Sequence, residues 1–205
     1  MKEYNMEYSA GFTKEKWSEN EIEVVLKHMS QGKLKKEILD EIMEQNLFQL
    51  RSPVSIKNRF NMVYNRAAVL DGEMKKHFLN VSDYDRKALT LYSFLQVYRI
   101  PLEFYLEVII YKYEHQEPLY SSDFYYFFEG KANISEKVSN WRPETIKRLI
   151  RSLVLFFREA RMIEKIDRTK YTVNPIHMSQ LLKTYAEKNA TLLYSFTVLE
   201  KVNEE

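Results

Sequence analysis

Four cationic side chains, Lys147, Arg151, Arg158 and Arg161, recur at helical spacing in the second half of the chain. At about 100° per residue they fall within one narrow arc, opposite an apolar stripe. That stripe consists of Ile146, Leu149, Ile150, Leu153, Phe156, Phe157 and Ala160. Ammonium and guanidinium groups neutralise phosphates, so this row predicts contact with a nucleic-acid backbone. Pro143 suits the first turn of a helix, and we expect one from residue 143 to about residue 160.

A short cationic hairpin is predicted directly after this helix. Residues 162–166 and 170–173 have the alternating, β-branched character of two strands, and the residues between them are turn-prone. Residues 142–170 contain nine Lys or Arg and four Asp or Glu, whereas the whole chain has a net charge of +2. A helix followed by such a hairpin is the layout of a winged helix. Its candidate nucleic-acid contacts are Lys147, Arg148, Arg151, Arg158, Arg161, Arg168 and Lys170.

A second basic unit is predicted near the N-terminus. Two helical patterns, residues 33–45 and 53–70, are joined by a short connection, which is the arrangement of a helix-turn-helix. Ser52 suits the N-cap position of the second helix, and no acidic residue lies between Glu44 and Asp71. Arg and Asn side chains hydrogen-bond phosphates and base edges. The candidate contacts of this unit are Arg51, Lys57, Asn58, Arg59, Asn65 and Arg66.

Both basic faces also admit a simpler interpretation. Amphipathic helices often carry Lys and Arg opposite their apolar stripe merely because that face is solvated. Helix-turn-helix shapes also serve as protein-contact modules. The recurrence of the pattern in two separate units favours nucleic acid over a solvated surface.

The sequence offers little support for catalysis or for a metal or cofactor site. His28, His77, His115 and His177 are scattered, without a ligand spacing such as H-E-x-x-H, and each is better interpreted as a surface or capping residue. The sequence contains neither a phosphate-cradling motif nor a nucleophile elbow. We therefore expect a non-enzymatic protein with no catalytic residue, no metal and no cofactor.

Composition limits the class of protein. With 205 residues, 45% of them hydrophobic and 14% aromatic, the chain can bury one large core or two small ones. It contains no cysteine, which fits a reducing cytoplasm. Its longest run without a charged residue, 171–182, is well short of the ~20 residues that a membrane-spanning helix needs. Four glycines and five prolines leave little turn chemistry, so we expect a mainly α, soluble, cytoplasmic protein.

An acidic, helical middle separates the two basic units. Residues 71–141 hold eleven Asp or Glu and eight Lys or Arg. Five consecutive aromatic residues, 124–128, are more consistent with a core than with a base-stacking platform, with Tyr125 or Tyr126 at the surface. Periodicity and capping residues predict helices in the middle and in the tail, which we expect to pack back onto the body. These helices are residues 83–98, 101–115, 122–128 (ended by Gly130), 134–140, 176–189 and, helical or extended, 192–198.

Two blocks of the sequence are distinctive: N-L-F-Q-x-R-S-P-x-S-I-K-x-R at residues 46–59 and W-x-P-x-T-I-K-R at residues 141–148. Together with Y-S-A-G-F-T at residues 8–13 and S-S-D-F-Y-Y-F-F-E-G-K at residues 121–131, they resemble the BrxA family. That family is the small accessory component of bacterial BREX phage-defence systems. The resemblance extends over roughly residues 8–175.

The resemblance implies a role in an antiviral defence operon and an all-helical fold that has been compared with an RNA-binding antitermination factor. It also implies interaction with DNA or with other BREX proteins, and it supplies no enzymatic activity. The family has no settled functional motif to transfer, so the candidate residues rest on helix faces and charge alone. Some members are labelled inner-membrane proteins, which the lack of a long hydrophobic span in this sequence contradicts.

These observations lead to one hypothesis and two alternatives. The hypothesis is a non-enzymatic protein that binds double-stranded DNA through both basic units as part of BREX defence. The alternatives are a scaffold that binds acidic surfaces on other BREX proteins, and an RNA-binding module. A scaffold should depend on Phe12, Trp17 and exposed tyrosines, and a DNA-binding protein on its basic helices.

The sequence leaves the oligomeric state unknown. The expected units are residues 1–80 (helix-turn-helix), 81–118 (helical connector) and 119–205 (winged helix with helical tail).

Overall fold

The computed structural model describes residues 6–80 and 82–199, and this part of the chain is mainly helical. The N-terminal part contains a 3-10 turn (Gly11–Lys14), α1 (Glu19–Ser30), α2 (Lys35–Glu44), α3 (Pro53–Ala68) and α4 (Gly72–Asn80). The central part contains α5 (Asp83–Val97), α6 (Arg99–Phe104), a π-helical segment (Tyr105–Ile109) and α7 (Ile110–Glu114). The C-terminal part contains β1 (Leu119–Tyr120), α8 (Ser121–Ile134), α9 (Glu136–Ser139), α10 (Pro143–Glu159), β2 (Ile163–Lys165), β3 (Lys170–Val173), α11 (Gln180–Asn189) and α12 (Thr191–Val198).

The two helices that carry most candidate contacts begin where their capping residues predict. Ser52 precedes Pro53, and its hydroxyl accepts a hydrogen bond of 3.2 Å from the backbone N–H of Ser55. Pro143 occupies the first turn of α10. At the other end of α10, Arg161 adopts a left-handed backbone with φ of 61°. This conformation ends the helix and turns the chain into β2.

Helix α8 is longer than predicted. The sequence predicted an end near Gly130, but the helix continues to Ile134, so this prediction was wrong. A glycine inside a helix costs only about 1 kcal/mol relative to alanine, and tertiary contacts can exceed that cost. Lys131, one residue later, is buried, and its ammonium lies 2.8 Å from Glu103 and 2.5 Å from Glu107. These ion pairs hold the last turn of α8 against the central helices.

The small sheet consists of the hairpin that follows α10 and the short strand that precedes α8. Its strand order is β1-β3-β2, and both pairings are antiparallel. Ile163 lies opposite Val173, and Leu119 lies opposite Tyr171. The predicted hairpin is confirmed, with β3 at residues 170–173. Strand β1 was not predicted, because two residues are too few for an alternating pattern to be recognised.

One apolar core runs through the whole described part of the chain. Phe94 on α5 stacks on Phe156 on α10 with ring centroids 3.7 Å apart. Trp17 and Phe12, both N-terminal to α1, contact the same pair at centroid distances of 5.5 Å to Phe156 and 5.6 Å to Phe94 respectively. The basic helix α10 is therefore packed against the N-terminal segment as well as against its own hairpin.

The C-terminal tail packs back onto the body, as predicted. The hydroxyls of Tyr105 in the central part and Ser195 in the tail lie 2.7 Å apart in the core. Within the tail, the backbone N–H of Ile176 donates to the carbonyl of Phe196 at 2.7 Å. The first tail helix begins at residue 180 rather than at 176, because Ser179 caps it by accepting from the backbone N–H of Leu182. Within residues 6–80 and 82–199, no helix is long and apolar enough to cross a membrane. The same described residues contain no cluster of three or more His, Asp or Glu side chains able to hold a metal ion.

Candidate nucleic-acid interface

The exposed face of α10 carries a row of cations. Its apolar stripe is buried against the core, and on the opposite side lie the exposed side chains of Lys147, Arg148, Arg151 and Arg158. Among the described residues these four have neither a hydrogen-bond nor an ion-pair partner. Leu155 is also exposed on this face, while Glu144 and Glu159 lie at its two ends. The charge of the row is therefore available to an external anion.

Arg161, predicted to belong to the same row, is already partnered. Its guanidinium lies 3.9 Å from the carboxylate of Asp83 and 5.7 Å from the ring centroid of Tyr84. Both partners are near the start of α5. Arg161 remains exposed, but part of its charge is neutralised within the molecule.

The hairpin places further charges beside the end of α10. Arg168 is exposed in the turn, and Lys170 is half-buried at the start of β3. The carboxylate of Asp167 accepts a hydrogen bond of 2.8 Å from the backbone N–H of Thr169. That hydrogen bond holds the pKa of Asp167 below its usual value, so this carboxylate stays negative and organises the turn. Both cations thus follow this fixed carboxylate closely in the chain, Arg168 within the turn and Lys170 at its end.

Helix α3 forms the second basic face, although a smaller one than predicted. Four of its candidate contacts are exposed and have no partner among the described residues: Arg51, Lys57, Asn58 and Asn65. Arg59 is half-buried, and its guanidinium donates a hydrogen bond of 2.9 Å to the hydroxyl of Ser18. Arg59 therefore ties α3 to the start of α1 and is less available to a ligand.

The prediction that Arg66 contacts nucleic acid was wrong. Its side chain is fully buried, and its guanidinium donates to the carbonyls of Lys16, Trp17 and Thr90 at 3.0 to 3.1 Å. Burial lowers the pKa of Arg66 to about 10, which still leaves the guanidinium protonated at neutral pH. The sequence held one signal of this burial: at about 100° per residue, Arg66 lies roughly 60° from the buried Val63.

A notch of about 300 Å³ opens between α8, α10 and β3. Its walls include Phe124, Tyr125, Ile150, Arg151, Val154 and Tyr171. The sequence predicted Tyr125 or Tyr126 at the surface, and both are exposed, but it held no signal that Tyr125 and Arg151 share a cavity. This proximity depends on how α8 packs against α10.

A separate cleft of about 500 Å³ lies on another side of α8, between it and the central helices. Tyr126 and Ile134 line this cleft and are 68% and 71% exposed, and Tyr111 is exposed on the opposite wall. Exposed apolar side chains gathered in one cleft are typical of a protein-contact surface.

The fold and these surfaces define a mainly helical protein with a small antiparallel sheet and two exposed cationic faces. A family model described as BrxA matches residues 6–190, and the chain belongs to the BrxA family. Over 125 residues the chain is 30% identical to the BREX protein BrxA of Bacillus cereus strain H3081.97. The matched region comprises 60% of this chain, and the chain spans 62% of the length of that relative.

A solved structure shares the fold. The crystal structure of an uncharacterized protein from Magnetospirillum magneticum matches 95% of this chain and 99% of its own length, with a TM-score of 0.78. The two sequences are 14% identical, so this likeness concerns the fold alone.

Proposed function

We propose that this chain is a non-enzymatic, DNA-binding component of a BREX phage-defence system. The observation that carries the DNA part is the row of unpartnered cations on α10, namely Lys147, Arg148, Arg151 and Arg158. The BREX part is supported by membership of the BrxA family and by the name of the Bacillus cereus relative.

The order of elements around α10 supports a winged-helix interpretation. A short strand, three helices and a hairpin follow one another, and the hairpin pairs with the first strand through β3. In such a unit α10 is the helix that enters the major groove, and the hairpin is the wing that contacts the backbone. Leu155, exposed between the cations, then offers an apolar contact to a thymine methyl group.

Helices α2 and α3 supply a second contact region in this proposal, as a helix-turn-helix. Arg51 and Lys57 neutralise phosphates there, and Asn58 and Asn65 hydrogen-bond phosphates or base edges. Each neutralised phosphate releases counterions, so the affinity for DNA should fall steeply with salt.

A salt titration of binding to a fluorescent duplex of about 30 base pairs tests the proposal. The variants are Arg151→Glu/Arg158→Glu on α10 and Arg51→Glu/Lys57→Glu at the second unit. Lys183→Glu/Lys188→Glu on α11 is the control, because it changes the total charge by the same amount outside both faces. We expect the α10 variant to lose most of the affinity and to flatten the salt slope, and the control to keep both. Failure of the wild type to bind even at low salt would refute the DNA proposal.

A scaffold function is the second candidate, and one observation favours it. The cleft lined by Tyr111, Tyr126 and Ile134 leaves large apolar side chains in solvent. Copurification of the chain with the other proteins of its BREX system discriminates the two functions. A scaffold should lose its partners on Tyr126→Ala/Ile134→Ala and keep them on Arg151→Glu/Arg158→Glu. Phe12, considered from the sequence as a test position, is fully buried and unsuited to this experiment.

RNA binding is tested in the same titration. An RNA duplex and a single-stranded RNA of equal length are compared with the DNA duplex at one salt concentration. If the chain prefers either RNA over the DNA duplex, then RNA rather than DNA is the ligand of the two basic faces.

A further inference from the structure

The notch beside α10 combines three chemical features. Phe124, Ile150 and Val154 give it apolar walls. Tyr125 stands at it with 49% of its surface exposed and without a ring partner in the described part of the chain. Arg151, a member of the unpartnered row, also lines it. An aromatic side chain, an apolar wall and a free guanidinium together suit an aromatic ring that is attached to an anion.

The size of the notch narrows the class of ligand. Its volume of about 300 Å³ is at the lower end of the range of small-molecule sites, so it accommodates a single ring system rather than a longer segment. A base that is paired and stacked inside a duplex cannot enter such a cavity, whereas an unpaired or extruded base can. We propose that the notch binds one unpaired nucleobase, which stacks on Tyr125 while Arg151 neutralises the adjoining phosphate.

This inference rests on the proposed DNA-binding function and specifies its substrate. Arg151 belongs to both the cationic row and the notch, and Ile150 and Val154 flank it on the same helix. A base in the notch would therefore belong to a strand whose phosphates the row of α10 contacts. The preferred substrate is then a duplex interrupted by an unpaired nucleotide rather than a continuous duplex.

Three fluorescent DNA probes of equal length test the inference with the full chain. One is a continuous duplex, one carries a single unpaired thymidine at its centre, and one carries an abasic nucleotide in place of that thymidine. The abasic probe has the same bend and flexibility but no base to stack. We expect the wild type to bind the thymidine probe roughly tenfold more tightly than the abasic probe, which corresponds to one stacked base.

Variants of two adjacent tyrosines assign the effect to the notch. Tyr125→Ala should bind all three probes with the affinity of the wild type for the abasic probe, and Tyr125→Phe should keep the preference for thymidine. Tyr126→Ala is the matched control, because Tyr126 is also exposed on α8 but lines the other cleft. It should leave the preference unchanged.

The outcomes separate this inference from the proposed function. Equal binding of the three probes by the wild type, or a preference that survives Tyr125→Ala, overturns the nucleobase site and leaves DNA binding intact. Binding to none of the probes removes the proposed function together with the site.

Discussion

Arg66 and Glu15 form an ion pair from which solvent is completely excluded, with both side chains 0% exposed and Arg66 Nη1 3.6 Å from Glu15 Oε2. The hydroxyl of Tyr98 donates a hydrogen bond of 2.6 Å to the other oxygen of Glu15. Burial raises the pKa of Tyr98 most, and the nearby charge of Glu15 raises it further, so the hydroxyl stays protonated. The guanidinium of Arg66 also lies 4.9 Å from the ring centroid of Phe156 on α10. This pair therefore joins the N-terminal segment, α3 and the basic helix.

Removal of one partner of this pair should be strongly destabilising. In Arg66→Met the carboxylate of Glu15 stays buried without its counter-charge, and we expect the free energy of unfolding to fall by about 3–5 kcal/mol. Arg51→Met is the control, since Arg51 is exposed and unpartnered among the described residues, and it should change stability by less than about 0.5 kcal/mol. Urea unfolding followed by circular dichroism measures both values. Equal midpoints for the two variants would contradict the structural role of Arg66.

Glu103 should make the protein sensitive to acid. Burial raises the pKa of this carboxyl, but hydrogen bonds and charges from Lys131 and Arg99 outweigh it and leave the pKa below its ordinary value of 4.5. A carboxyl with a lowered folded-state pKa contributes stability above its unfolded pKa and loses it as the pH falls through the folded pKa. We therefore expect the free energy of unfolding to decrease as the pH falls below 4.5.

The variant Glu103→Gln isolates this contribution from those of other carboxyls. It should be less stable than the wild type at neutral pH, and the difference should shrink in acid because Gln does not titrate. Glu129→Gln, at an exposed position of α8, should follow the wild-type curve. Unfolding curves at several pH values provide the test, and a constant difference between Glu103→Gln and the wild type would rule out the coupling.

Phe12 and Tyr126 should differ sharply in what they contribute to stability. Phe12 is fully buried against Phe94 and Tyr98, so Phe12→Ala should leave a cavity and cost about 3–5 kcal/mol of stability. Tyr126 is 68% exposed, and Tyr126→Ala should change stability by no more than about 0.5 kcal/mol. Thermal unfolding measures both. A stable Phe12→Ala variant would show that the N-terminal segment is not part of the core.

The hairpin should contribute to DNA binding in proportion to its phosphate contacts. If Arg168 and Lys170 each neutralise one phosphate, Arg168→Ala/Lys170→Ala should reduce the slope of log affinity against log salt by about 2. Lys188→Ala on α11 should leave that slope unchanged. Fluorescence anisotropy with the continuous duplex measures the slopes, and an unaltered slope in the double variant would exclude the hairpin as a wing.

The elements that the sequence predicts most directly are α3, α10 and the hairpin. Helices α3 and α10 each begin with a proline in the first turn, Pro53 and Pro143, and each continues with an uninterrupted helical period. The hairpin has alternating, β-branched residues on both sides of a turn-prone segment. Where the local signal conflicts with tertiary contacts, the prediction fails. Gly130 suggested a helix end, yet the ion pairs of Lys131 continue α8 past it.

The sequence by itself determined the family, through its distinctive blocks at residues 46–59 and 141–148. It also determined the helical class and the polar side of α10, because periodicity and capping act within a few neighbouring residues. Only the tertiary structure decided which of the predicted basic side chains stay exposed and unpartnered within the described part of the chain, and so available to a ligand. Periodicity assumes one buried face per helix, but α3 is covered by α5 and the N-terminal segment as well, which encloses Arg66. Arg151 lies at the mouth of the notch between α8 and β3, which does not enclose it, and it stays exposed beside Tyr125. Burial depends on what packs against a face, and that partner is distant in sequence.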